Sequence, residues 1–424
     1  MSRQTEGMVS DKPRLRFQPG QFRDRFRLPA APRGCKSVYL CGHTMGLQPL
    51  AAADAVEAEL ERWARLGVAG RFDGPLAWVS YHELLSDALA ELVGARRCEV
   101  VAMGSATANL HQMMISFFHP HGERRRIVID KGAFSSVRYA AESHLALHGL
   151  DPTRNLVELP PRRDGLIHEE DLEDYLEHYG ESVALVLWPG VQYATGQVFE
   201  LDRIARSCAR AGTRTGFDLS GAIGNLELAL HDSGADFAFW GSEKYLNGGP
   251  GAVGGCFVHD RHADFHGPRL AGWWGHEPRT RFAMGPEFHP IRGAAGWQLS
   301  NPPILALAAV RASLELFIEA GGMRPLRQAS LELTGHLACL LREQLDDQVR
   351  IITPLEPHRR GCQLSVQFRG GERAGRELFE RLEAHGVLCD WRQPGIMRAA
   401  PVPLYNTDED VEHFVELMVN LINA

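Results

Sequence analysis

Gly216-Phe217-Asp218-Leu219-Ser220-Gly221-Ala222-Ile223-Gly224-Asn225 is followed shortly by Ala235-Asp236-Phe237-Ala238-Phe239-Trp240-Gly241-Ser242-Glu243-Lys244-Tyr245-Leu246-Asn247-Gly248-Gly249-Pro250-Gly251. The run reads as an apolar strand ending in an acid, a turn broken by glycines, a second apolar strand, and a lysine with Asn and glycines close behind. An aspartate at one strand end and a lysine beyond the next strand suit a pyridoxal phosphate (PLP) site. Asp218 would keep the pyridine nitrogen protonated, so that the ring acts as an electron sink. Lys244 would hold the aldehyde as a Schiff base and serve as nucleophile and base. Glycines after the lysine would let the backbone come close to the cofactor. Taken alone, the same residues also describe a surface lysine after a core strand and an aspartate in a turn.

Outward from this stretch, short apolar strands alternate with helical periods. Strands are expected at residues 100–103, 126–130, 156–159, 182–187, 214–218, 237–241 and 252–259, with helices such as 109–118 and 201–211 between them. That alternation predicts an α/β fold: a doubly wound, mostly parallel sheet with some antiparallel pairing late. The helix after Gly104-Ser105-Ala106-Thr107 would aim free N–H groups into its turn, where a phosphate fits, although Thr107 as a simple N-cap is equally compatible. Upstream, residues 51–66 carry Val56, Leu60, Trp63 and Leu66 on one helical face, and residues 81–93 gather Leu84, Leu85, Ala88, Leu89 and Leu92. Residues 1–35 are polar and interrupted by Pro13, Pro19, Pro29 and Pro32, an arm rather than a helix. Past Leu305 the pattern becomes long helices, then strands and helices of a small α+β unit. The expected organisation is an arm (1–35), a large PLP-binding domain (36–305) and a small C-terminal domain (306–424).

The bulk numbers narrow the field. A chain of 424 residues buries a sizeable core, and 45 basic against 53 acidic residues, a net charge of −8, argue against nucleic acid or an anionic membrane as partner. The eight cysteines are scattered without CxxC pairs, which suits a reducing compartment; with no apolar leader at the start and no long apolar run, the expected location is the cytoplasm. No metal is expected: there is no HExxH, and His119 and His121, like His259, His262 and His266, read as surface histidines.

Further motifs follow in order: Gly-Leu-Gln-Pro at 46–49, Asn-Leu-His at 109–111, Ser-Phe-Phe at 116–118, Thr-Gly-Gln at 195–197, Gly272-Trp273-Trp274-Gly275-His276-Glu277, Ser300-Asn301-Pro302-Pro303 and Ala400-Pro401-Val402-Pro403-Leu404-Tyr405-Asn406. With Lys-Tyr-Leu-Asn at 244–247, they make the chain resemble the kynureninase family, PLP enzymes of aminotransferase class V, over roughly residues 36–420. The resemblance implies a fold-type I PLP-dependent transferase-like fold and a homodimer with its sites at the interface. The implied reaction is cleavage of the Cβ–Cγ bond of L-kynurenine or a related β-acyl alanine to alanine and an acid. It also implies roles. Ala106 and Thr107 would hold the phosphate, with Phe134 stacked on the ring and Ser136 beside it. Trp273 and Asn301 would lie near cofactor and substrate, partly across the interface. Arg398 would grip the substrate α-carboxylate with a bidentate fork, and Thr44 and Arg71 would stand on the substrate side.

Five positions depart from the family's pattern. Val137 stands where the family has aspartate, Gly221 where it has histidine, Glu243 where it has tyrosine and Arg71 where it has histidine, while the family's Asn-Ser turn reads His43-Thr44. A carboxylate beside a phosphate repels it unless it is protonated, turned away or paired. Glu243 is therefore expected to pair with a cation such as Arg71, or to act as general acid or base for a different substrate. Two other readings stay open: a PLP enzyme of specialised metabolism performing elimination, replacement, cyclisation or decarboxylation on a more polar amino acid, and a PLP-fold protein without catalysis.

Overall fold

The computed structural model describes residues 16–424, so the first fifteen residues of the expected arm lie outside the described residues. From Arg16 the arm lies against the body: Phe17 and Phe26 are buried, and Arg23 bonds the carbonyl of Tyr405 and the carboxylate of Asp410. Strand β1 (Phe26–Arg27) pairs antiparallel with β3 (Gln48–Pro49), and β2 (Val38–Tyr39) lies between them in the chain.

Seven strands make the large sheet: β4 (Val100–Ala102), β5 (Arg126–Asp130), β6 (Leu156–Leu159), β7 (Val183–Pro189), β8 (Arg214–Asp218), β9 (Phe237–Trp240) and β10 (Gly255–Val258). Their order is β4-β10-β9-β8-β7-β5-β6; only β10 runs against its neighbours, as the late antiparallel pairing predicted. Alternate residues serve two apolar layers, one facing the helix Ala106–Phe117 and the helix Ser135–Leu147, the other facing the helix Leu201–Arg210 and the helix Ile304–Glu319. Gly216 is required inside β8, because a Cβ there would strike the ring of Phe237 opposite.

The small domain is a four-stranded antiparallel sheet of β11 (Val349–Ile351), β12 (Leu364–Phe368), β14 (Asp390–Arg392) and β15 (Ile396–Ala399), in the order β11-β12-β15-β14. Between them in the chain, β13 (Val387–Leu388) pairs parallel with β2. Val38 and Leu40 are consequently part of the C-terminal apolar core, so the expected boundary at residue 36 falls early. The boundary at 306 falls early too: Leu307, Val310, Leu314 and Phe317 pack into the large-domain core, and the helix Met323–Leu345 links the two.

Two apolar faces are not where periodicity put them. On the helix Leu50–Leu66 the buried residues are Ala52 and Glu59, while Leu60 and Trp63 are 42% and 63% exposed. Glu59 tolerates burial because its carboxylate accepts the indole N–H of Trp78 at 2.8 Å. Leu84 also points outward, since residues 81–85 wind as a 3₁₀ turn before the α-helix Ser86–Val93 begins.

Candidate active site

Because β10 alone is reversed, β4, β5, β7, β8 and β9 all end at one edge of the sheet, and the loops leaving that edge enclose a cavity of about 200 Å³. After β4 the chain turns through Gly104, whose φ of +53° favours glycine, and starts the helix Ala106–Phe117 at the N-cap Ser105. Thr107 is thus inside the first helical turn and is not the N-cap. Ser105 makes no side-chain cap bond, so the first N–H groups, those of Ala106 and Thr107 among them, are left for an anion in the cavity that both residues line. Asn109 fixes this turn by donating to the carbonyl of Met103 at 2.8 Å.

Asp218 ends β8; one carboxylate oxygen accepts the Ser220 N–H at 2.9 Å, and the other is left for a donor in the cavity. Lys244 follows β9, its Nζ 5.8 Å from the centre of the Phe134 ring. Phe134 meets Tyr193 edge-on at 5.6 Å. Ser136 and Val137 line the same wall. The lysine's backbone is held from behind: Gly46 N–H donates to the carbonyl of Glu243 at 2.8 Å, and a Cβ on Gly46 would collide with the carbonyl of Lys244. An acid, an amine, an aromatic face and a helix N-terminus converging on one cavity are the donor set that PLP requires.

A second acid joins them. Asp130, at the end of β5, is 1% exposed, and burial raises its carboxyl to about 6 against the bond from Gln192 at 3.3 Å. It was not singled out in the sequence, although it ends a strand at the same edge as Asp218.

On the substrate side, Arg398 of β15 is buried, and its guanidinium is already engaged. Nη1 donates to the carbonyl of Tyr193 at 2.7 Å; Nη2 donates to Thr44 Oγ1 at 3.2 Å and pairs with Asp390 at 2.9 Å. Thr44 in turn donates to Asp390 at 2.6 Å. A fully free fork is therefore not what Arg398 presents, because Tyr193 and Asp390 hold it in place. Asp390 and Tyr193 carry no motif of their own, and only the fold brings them here.

Glu243 is half-buried and lines the cavity, but its carboxylate folds back over Gly241. Arg71 lies outside the cavity on the 3₁₀ turn Gly67–Arg71, and among the described residues no ion pair joins the two; the expected pairing does not form within one chain. Trp273, whose indole donates to the carbonyl of Arg281 at 2.9 Å, and the exposed Asn301 also lie outside this cavity.

The histidines need one correction. His259 and His262 are half-buried, not surface groups: His262 bonds Asp236 at 2.7 Å, and His259 stacks on His231 at 4.9 Å. Glu99, His231 and His259 converge closely enough to suggest a metal. Glu99 is nevertheless satisfied without one, accepting from Arg96 N–H, Asp260 N–H and His231 at 2.7–2.8 Å.

Fold and site together define a fold-type I PLP-dependent enzyme. Solved structures share the fold: the cystine C-S lyase C-DES with glycine linked to its PLP (TM-score 0.76, 18% identity, 91% of this chain and 97% of that one) and the cysteine desulfurase CsdA of Escherichia coli (TM-score 0.75, 17% identity, 96% and 99%). Sequence relatives narrow this. A family profile described as the kynureninase C-terminal domain matches residues 326–418. Kynureninase of Xanthomonas euvesicatoria pv. vesicatoria is 54% identical over 89% of both chains, and that of Koribacter versatilis is 51% identical over 95% of both. The chain belongs to the kynureninase family and is a PLP-dependent C–C hydrolase of that type.

Proposed function

We propose that the chain cleaves the Cβ–Cγ bond of L-kynurenine or a related β-acyl alanine, releasing alanine and an acid. The observation that carries this reading is the convergence of Lys244, Asp218 and Arg398 on one cavity beside the helix N-terminus at Ala106. PLP, when bound, supplies the electron sink for a carbanion at the substrate Cα. The protein's residues do the rest. Ala106 and Thr107 would hold the phosphate, Phe134 and Ser136 would flank the ring, and Asp218 would keep the ring nitrogen protonated. Arg398, with Thr44, orients the α-carboxylate, and Lys244 moves the proton at Cα. Glu243, whose carboxylate lies over Gly241 at the cavity wall, would turn into the cavity to exchange a proton in the hydrolytic step.

The same reading covers assembly. Trp63, Val68, Phe72 and Met284 are 61–75% exposed, and Phe72 meets Phe282 edge-on at 5.4 Å. A second copy of the chain covers this face and brings Arg71, Trp273 and Asn301 to the neighbouring cavity as a homodimer. Eight free cysteines and, among the described residues, no helix long and apolar enough to cross a membrane accord with a cytoplasmic enzyme.

The test is to purify the protein, record its visible absorption, and add L-kynurenine and 3-hydroxy-L-kynurenine while following anthranilate-type fluorescence and alanine. Alanine released together with an anthranilate supports the proposal. Visible cofactor absorption without turnover on either compound overturns the substrate assignment and favours a different, more polar amino acid.

A further inference from the structure

The turn before Gly46 carries an imidazole that no role above uses. His43 is 5% exposed and lines the cavity, yet among the described residues neither of its ring nitrogens has a hydrogen-bond partner. Burying two unpaired polar atoms is unfavourable unless a bound molecule supplies their partner. Burial, followed by the charges of Arg398, Lys244 and Arg392, holds the ring well below its usual protonation range. It is a neutral imidazole, with one N–H donor and one acceptor.

Its neighbour Arg398 has a complementary shortage. With Nη1 on Tyr193 and Nη2 on Thr44 and Asp390, Nε is the guanidinium nitrogen left buried without a partner. Asp390 also offsets much of the arginine's charge, so that a carboxylate arriving here gains from a second donor. We propose that His43 is a substrate-binding residue whose ring N–H, together with Nε of Arg398, holds the α-carboxylate of the amino-acid substrate. The inference rests on the proposed function only in requiring an α-amino acid in this cavity; it holds for any leaving group. It gives a use to one of the five departures, since a buried imidazole reaches farther from its backbone than the asparagine the family carries in this turn.

The experiment uses the PLP-loaded enzyme and two amines, L-alanine and ethylamine, which differ by the carboxylate. Binding of each is read as a Kd from the change in cofactor absorption. His43→Leu is expected to raise the Kd for L-alanine about tenfold or more, with the Kd for ethylamine within about twofold, cofactor absorption unchanged and the melting temperature no lower. His43→Gln, which restores a donor, recovers most of the loss. His43→Ala carries the same expectation should His43→Leu not fold. An unchanged alanine Kd, or equal weakening of both amines, overturns the inference and leaves the proposed function standing. A native enzyme that responds to ethylamine but to no amino acid overturns both.

Discussion

Asp130 and Glu243 show how single carboxylates set the behaviour of the site. Burial raises Asp130 from the usual 3.8 to about 6, so the folded chain keeps a proton that the unfolded chain gives up near pH 4. Its contribution to stability is full below about pH 4 and is lost as the pH rises through 6, a penalty of about 3 kcal/mol at neutral pH. Asp130→Asn, which keeps an acceptor for Gln192, should stabilise the apo protein by up to that amount at pH 7.5 and little at pH 4; denaturant midpoints at the two pH values decide it. Glu243 stands where a tyrosine would serve the phosphate. Glu243→Gln removes a negative charge from the cavity wall and should tighten PLP about fivefold, the ~1 kcal/mol a like charge costs at a partly screened site. An unchanged PLP titration would mean that the carboxylate's fold over Gly241 already keeps it clear. Asp218 stood out in the sequence because it closes a strand, and Lys244 because it lies in the glycine-rich loop just after the next one. Tyr193 and Asp390 did not: Tyr193 meets Arg398 only once the two domains pack, and Asp390 faces it only through the register of β14 with β15.

At the scale of elements, all seven strands of the large sheet were readable in place, with β10 shorter than expected (Gly255–Val258 against 252–259) and β7 running on to Pro189, since most are apolar runs between turns. The exposed face of the helix Leu50–Leu66 was not, because helical periodicity reports that a stripe is apolar without saying which surface covers it. The join between β10 and the phosphate-suited turn offers a direct test. A Cβ on Gly254 would lie 2.6 Å from the carbonyl of Trp240 and 3.2 Å from the backbone nitrogen of Ala106. Gly254→Ala should therefore push the helix N-terminus out of register, weakening PLP about tenfold or more and lowering stability by roughly 1–3 kcal/mol. Loss of stability with PLP affinity intact would show that the turn moves freely of β10.

For the molecule as a whole, the outward face bearing Trp63 and Phe72 decides assembly. The native protein should sediment at twice the 47.0 kDa chain mass, and Trp63→Glu with Phe72→Glu should shift it to the monomer. A monomer with Trp63→Glu and Phe72→Glu that retains full turnover would remove Arg71, Trp273 and Asn301 from the site. Arg398 is tied to Tyr193 across the domain junction, and Gln363 bonds the same carbonyl at 3.0 Å, so the small domain is fastened at the cavity itself.

The parallel pairing of β2 with β13 has its own consequence for how the chain is made. A strand that leaves the ribosome early, Val38 beside Tyr39, has no ladder partner until Val387 and Leu388 emerge, and β4 likewise waits for β10. During synthesis His43 and Thr44 therefore hang from an unpaired apolar segment while nearly the whole polypeptide is still to come. Translation stalled between β10 and β13 would release a nascent chain with a finished large sheet and an orphan strand, the kind of intermediate that chaperones retain.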